Sequence, residues 1–208
     1  METTVIIGDI VHSSAIRKRS EFQKKFKRVV EELNRRCNLA SPYTVTLGDE
    51  FQAVYRDATL ILDHAFTLIA KLLPHRLRIS IGVGPLTTEL NPRQSIGMDG
   101  PAFYVARAGI ELLRASGESM CVCAAGYDVG LEDCAVRLIS RQVHKWRSTR
   151  WQVLRGLVNA QSVGVIAGEL GMTPAAVYKN IREGSLELLL ATGREVGKSL
   201  TGKTRGRK

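Results

Sequence analysis

Apolar and polar residues change period several times along the chain, and each change marks an element. Residues 3–10 carry a β-branched run, Thr4-Val5-Ile6-Ile7-Gly8-Asp9-Ile10, that predicts a buried strand. His12-Ser13-Ser14 follow in a turn, and Arg17, Lys18 and Arg19 in a charged loop. Ser20 and Gln23 have capping-box spacing, and Phe22, Phe26, Val29, Val30 and Leu33 then recur at helical spacing, ending near Cys37 to Asn38. Two alternating runs, Tyr43 to Leu47 and Phe51 to Tyr55, flank Gly48-Asp49 and predict a β-hairpin. Asp57 reads as the N-cap of a second helix with Leu60, Ile61, Ala65, Leu68, Ile69 and Leu72 on one face, stopped by Pro74. Leu77 to Val83 alternates as a fourth strand, and the Gly/Pro/Asn-rich residues 84–100 read as a loop. Gly100-Pro101 opens a helix from Ala102 to Ala115, Met120 to Ala124 is a short strand, and a helix runs from about Glu132 to Trp146.

The last third is helical in period. Trp151, Leu154, Leu157 and Val158 mark one helix, and Ser162 to Leu170 a second, with Val163, Ile166, Ala167 and Leu170 inward. Gly171-Met172-Thr173 is a turn, with Thr173 and Pro174 as N-cap and first residue of a further helix carrying Val177 and Ile181. Ala167, Gly171 and Val177 have helix-turn-helix spacing: a small residue, a glycine turn and an aliphatic lock.

The strand and helix order βαββαβ predicts an α+β fold, a ferredoxin-like sheet followed by a small all-α unit. The expected domains are 1–130, a linking helix at 131–148, the helix-turn-helix at 149–192 and a flexible basic tail at 193–208. Right-handed crossovers set the first strand beside the third, so Asp9 is expected at the same edge as the hairpin tip and its Asp49. Asp9, Asp49 and Glu50 would repel one another there unless a hard cation such as Mg²⁺ lay between them. The alternative is that Asp49 makes the turn and Asp9 caps its strand.

Charge separates the two halves. Of the net +10, residues 1–140 carry 17 Lys/Arg against 16 Asp/Glu, whereas residues 141–208 carry 13 against 4. A nearly neutral body with a basic last third points to a polyanion as partner of the second part. The composition is 44% hydrophobic, enough for a core, with no run long enough to span a membrane and no signal-peptide pattern. A cytoplasmic location without a membrane partner is expected. The four cysteines, Cys37, Cys121, Cys123 and Cys134, lack CxxC spacing and read as buried free thiols.

Three segments resemble class III nucleotide cyclases and the diguanylate (GGDEF) cyclases: Gly8-Asp9-Ile10-Val11, Gly48-Asp49-Glu50-Phe51 and Leu77 to Val83. A fourth, Gly100 to Arg107, is similar to the segment that carries the cyclases' Asn and Arg, and the whole order is most similar to the SatD family. The resemblance implies a two-metal nucleotide site holding Mg²⁺ or Mn²⁺ on Asp9, the carbonyl of Ile10, Asp49 and Glu50. It also implies phosphate contacts from Val11, His12, Ser13, Ser14, Gly48 and Arg107. The sequence departs from the cyclases at Phe103, which stands where they have Asn, at Leu47, in place of the first Gly of GGDEF, and in residues 43–47, which lack a base-reading lysine. These departures remove substrate-reading groups, and no catalytic residue is assigned.

The segment from Ser162 onward resembles the helix-turn-helix of sigma-factor region 4 and LuxR-type regulators. That resemblance places the helix from Pro174 in the major groove, with Thr173, Ala175, Ala176, Lys179, Asn180 and Arg182 facing DNA. The expected function is a DNA-binding transcriptional regulator with a metal- and nucleotide-sensing domain, the nucleotide being the effector. The rivals are an active metal-dependent cyclase or nucleotidyltransferase and a bare dimerisation module. A homodimer is expected in all three.

Overall fold

The computed structural model describes residues 2–46 and 48–204, together with the backbone alone of Arg205. Five strands form one sheet in the order β2-β3-β1-β4-β5. They are β1 (Glu2–Ile10), β2 (Ser41–Val45), β3 (Glu50–Tyr55), β4 (Leu77–Pro85) and β5 (Met120–Ala124). Neighbours among the first four are antiparallel, and β5 adds to β4 in parallel. β1 therefore lies beside β3, with Asp9 opposite Glu50 on one side and Arg78 on the other. Leu47, at the expected hairpin tip, is outside the described residues.

Strand alternation sends two sets of side chains to two faces. Ile6, Ile10, Phe51, Ala53, Tyr55, Ile79 and Ile81 meet α1 (Arg19–Arg36) and α2 (Ile61–Leu72) in the main core. Val5, Ile7 and Val54 meet Ala102, Phe103, Ala106 and Ile110 of α3 (Pro101–Ser116) on the other face. The α3 backbone can approach that closely because β4 has Gly82, where a Cβ would lie 2.2 Å from the Ala102 carbonyl oxygen.

Two helix starts differ from expectation. α1 begins at Arg19 with Lys18 as N-cap and no side-chain cap, so Ser20 lies inside the helix rather than before it. α2 begins at Ile61, not after Asp57. Asp57 instead accepts the Thr59 N–H in a local turn (2.9 Å), and Ala58 offers its carbonyl to Ile61. Of the cysteines, Cys121 is buried, Cys37 and Cys123 are half-buried and Cys134 is exposed on α4 (Gly130–His144); all four are free.

The larger correction is at the C-terminus. Residues 186–205 form a 20-residue helix, α8 (Leu186–Arg205), where a flexible tail was expected from 193. Leu186, Leu189, Leu190, Val196 and Leu200 join the main core along one face. Its glycines read as flexibility in sequence, but they serve close approach: a Cβ at Gly197 would lie 2.2 Å from the Ala58 carbonyl, and one at Gly193 3.2 Å from Leu62. The Thr201 hydroxyl accepts the Ala58 N–H at 2.8 Å. Arg194 donates twice to Asp63 Oδ2 (3.0 and 2.9 Å), and Lys203 lies 3.2 Å from Glu132.

The core also runs on from the sheet unit into α5 (Ser148–Val158), α6 (Val163–Leu170) and α7 (Pro174–Gly184) without a break in packing. α4 supplies Val136, Ile139 and Val143 to the same core, so it is a packed layer rather than a linker.

Urea unfolding is therefore expected to show one cooperative transition for sheet and C-terminal helices together. Gly197→Ala is expected to lower stability by about 1–3 kcal/mol through overpacking. Gly202→Ala, where nothing lies within 4 Å, should raise it by roughly 0.5–1 kcal/mol.

Candidate functional site

The three carboxylates of the sheet edge do not converge. Asp9 and Glu50 are opposed on β1 and β3 and both project to the α3 face, because their neighbours Ile10 and Phe51 fill the other. Asp49 turns toward the β1–α1 loop, where its Oδ2 accepts the Ser13 hydroxyl and its carbonyl accepts the Ile10 N–H (3.1 Å).

Arginine supplies positive charge beside Asp9. Asp9 is 4% exposed. Its Oδ2 accepts Nε and Nη2 of Arg114 at 3.1 and 2.7 Å, and its Oδ1 accepts Arg78 Nη1 at 3.4 Å. Arg114 Nη2 also lies 3.7 Å from Glu50 Oε1, and its Nη1 donates to Glu111 at 2.5 Å. The hydrogen bond to Asp9 pushes Arg114 up in pKa. Burial, then the charges of Asp49 and Asp9, push Glu50 up against the opposing pull of Arg114.

This donor set does not fit a two-metal cradle. The most buried carboxylate is already held by two guanidinium groups, and among the described residues no three His, Cys, Asp or Glu side chains could hold an ion together.

The expected phosphate residues are also scattered. The Val11 N–H is taken by the Arg76 carbonyl at 2.9 Å. His12 is exposed in the left-handed region (φ 55°), Ser13 is bonded to Asp49, and Ser14 is exposed on the 3₁₀ turn Ser13–Ala15. Gly48 holds φ 75° in the hairpin turn. Arg107 stands over the Phe103 ring at 5.6 Å and 3.9 Å from Asp99, beside a small cavity of about 170 Å³ shared with Asp9, Glu50 and Arg114. Arg114 was missed in sequence; it lies two helical turns beyond Arg107 and so on the same face of α3.

The second candidate is the helix pair. The Ser162 hydroxyl accepts the Val165 N–H to start α6, and Gly171 ends it in the left-handed conformation (φ 60°). Met172 N–H returns to the Ala167 carbonyl at 2.9 Å, and the Thr173 hydroxyl accepts the Ala176 N–H at 3.2 Å to open α7 at Pro174. Ile166, Ala167, Val177 and Ile181 are buried against α5.

Of the six expected DNA contacts, Ala175, Lys179 and Arg182 are exposed, and Tyr178 beside them is 60% exposed. Thr173 is exposed but its oxygen is engaged in the cap. Ala176 is half-buried, and the Asn180 amide donates to the Ala176 carbonyl of its own helix at 2.9 Å. Lys179 lies 3.8 Å from Glu183.

Residues 4–200 match the SatD family profile from end to end of this sheet-and-helix arrangement. The chain belongs to the SatD family. No curated protein matches it in sequence. Among solved structures it is similar to a bacterial light-regulated adenylyl cyclase, at 15% identity and TM-score 0.40 over 59% of this chain. The match spans 43% of that cyclase's length. It is also similar to a regulator of polyketide synthase expression from Bifidobacterium adolescentis, at 12% identity and TM-score 0.27 over 96% of this chain and 86% of the other. At these values neither assigns a residue. No helix of this SatD-family chain, among the described residues, is long and apolar enough to cross a membrane.

The Asp9 cluster predicts an asymmetric cycle. Arg114→Ala strips a buried carboxylate of its main donors and is expected to cost about 1–3 kcal/mol in urea unfolding. The Asp9→Asn/Arg114→Ala double variant, which also removes the charge, should recover part of that loss. For Glu50 the sign runs the other way from a paired carboxylate. Its folded pKa is raised, so the folded chain holds the proton more tightly than the unfolded chain, and ionisation costs stability as pH rises. Glu50→Gln is expected to stabilise the protein at pH 7, with the gain vanishing below about pH 4.

Proposed function

We propose that this SatD-family protein is a DNA-binding regulator that reads duplex DNA with α7. The observation that carries this reading is the α6–turn–α7 pair, with Val177 and Ile181 locked inward and Ala175, Tyr178, Lys179 and Arg182 left on the outer face. A capped helix of this kind can enter a major groove with its N-terminal residues toward the bases. Arg182 and Lys179 supply charge for phosphate, while Ala175 and the rim of Tyr178 supply apolar contact. Arg147, just before α5, is also exposed. A homodimer belongs to this reading, because helix-turn-helix units commonly address two half-sites.

The basic excess of the last third supports the reading less than its size suggests. Arg141, Arg150, Arg194 and Lys203 form ion pairs with Glu118, Glu183, Asp63 and Glu132. Lys179 and Lys198 lie near Glu183 and Glu195 in the same way, so among the described residues of α7 Arg182 is the cation left for a polyanion.

The test is fluorescence anisotropy of the full chain on labelled duplexes from its own genomic locus across a salt series. Binding is expected, with log K falling linearly against log salt. Arg182→Glu and Lys179→Glu should each weaken binding, and loss of one phosphate contact should flatten the salt slope by about 1. Binding that is absent at low salt, or indifferent to both substitutions, defeats the proposal.

A further inference from the structure

Cationic and aromatic side chains gather together away from the sheet edge. A cleft of about 670 Å³ opens between the α2–β4 junction and the α4–α5 junction, where the sheet unit meets the C-terminal helices. Both tryptophans of the chain line it. Trp146 is half-buried and meets Trp151 edge-on, with ring centroids 5.4 Å apart, and the Arg150 guanidinium lies 5.8 Å from the Trp146 ring centre. Lys25, Arg76 and Arg155 line the same space, and no carboxylate does. Lys71 also faces it but is held by Glu32. Arg155 keeps its Nε buried without a hydrogen-bond partner, a donor left over by the fold. Gln152 spends its amide N–H on the Ala70 carbonyl at 3.0 Å, which fixes the side chain and leaves its oxygen as an acceptor.

A second cleft, also about 670 Å³, shares Lys25, Pro74, His75 and Arg76 with the first and continues to Arg17 and Lys18. The two form one groove, aromatic at one end and cationic along its length. Glu21 is the one acidic residue on the second cleft, and Lys18 lies 3.3 Å from it. Sites of this size between packed units, apolar with a few placed polar groups, are where small ligands bind. An apolar ligand would leave the cations unused, and a bare inorganic anion would leave the indole rings unused. A planar ring with a phosphate chain uses both: the ring against Trp146, the phosphates past Lys25 and Arg76 toward Arg17 and Lys18.

We propose that this groove binds a nucleotide or a closely similar phosphorylated aromatic molecule, away from the carboxylates of the sheet edge. The proposal stands independently of DNA binding by α7.

The full chain is titrated with ATP and GTP, and separately with adenosine and inorganic pyrophosphate. Fluorescence excited at the red edge, where tyrosine does not absorb, reports Trp146 and Trp151, and calorimetry repeats each titration free of absorbance effects. A saturable fluorescence change with ATP or GTP is expected, with adenosine and pyrophosphate each much weaker. Arg76→Ala, at an exposed position outside the core, should weaken nucleotide binding roughly ten- to hundredfold while urea unfolding stays unchanged. The proposal is overturned if neither nucleotide binds in the millimolar range, or if pyrophosphate binds as tightly as ATP. It is equally overturned if binding survives Arg76→Ala but is lost in Asp49→Ala, which would return the site to the sheet edge.

Discussion

The structure depends on covering α2. This helix buries Ile61, Leu62, Ala65, Phe66, Leu68, Ala70 and Leu72, which point to more than one side of it. A helix apolar on most of its circumference cannot sit on a sheet with its back to water. The sheet and α1 take one side. α5 and α8 take the other, with Trp151 against Phe66 at 6.2 Å between ring centres and Gly193 against Leu62. The C-terminal helices are thus part of the layer that completes the core, and among the described residues the packing runs from the sheet unit into them.

Burying α2 so fully brings a carboxylate with it. Asp63 is 3% exposed, and its desolvation raises its pKa against the opposing hydrogen bonds of Arg194. The pair ties α8 to α2 by charge, while Gly197 and Thr201 hold it against the Ala58–Thr59 turn before α2. Breaking such a pair from one side costs far more than the pair contributes by existing, so its weight lies in fixing how α8 sits. The basic surplus of the last third has the same double use. Part of it neutralises acids of the sheet unit, and only the remainder faces outward.

At the sheet edge one electrostatic requirement had two solutions. Carboxylates gathered at strand ends need positive charge nearby, and either a divalent ion or a guanidinium supplies it. Arg114 reaches Asp9 from α3 in a bidentate contact while Arg78 approaches along β4. A short link also joins the nearby cleft to the helix pair: Arg150 stands over Trp146 and bonds Glu183 of α7 at 3.1 Å.

The sequence by itself determined the local elements and their order. A β-branched run placed β1, period-2 runs placed β3 and β4, the 3.6-residue pattern placed α1 and α2, and Thr173-Pro174 placed the start of α7, because these signals lie within a few residues of one another. The neighbouring of β1 and β3 followed from chain order and handed crossovers. Tertiary structure decided what depends on distant partners. Ser20 and Asp57 have capping chemistry, but packing set the helix starts elsewhere. Gly193 and Gly197 looked like a flexible tail until Leu62 and the Ala58 carbonyl lay against them. Asp9 was legible as a carboxylate at a strand end, but its contact with Arg114, 105 residues away in sequence, was not. Composition and spacing carry no information on which distant side chain fills a given space, and that choice is made only when the layers pack.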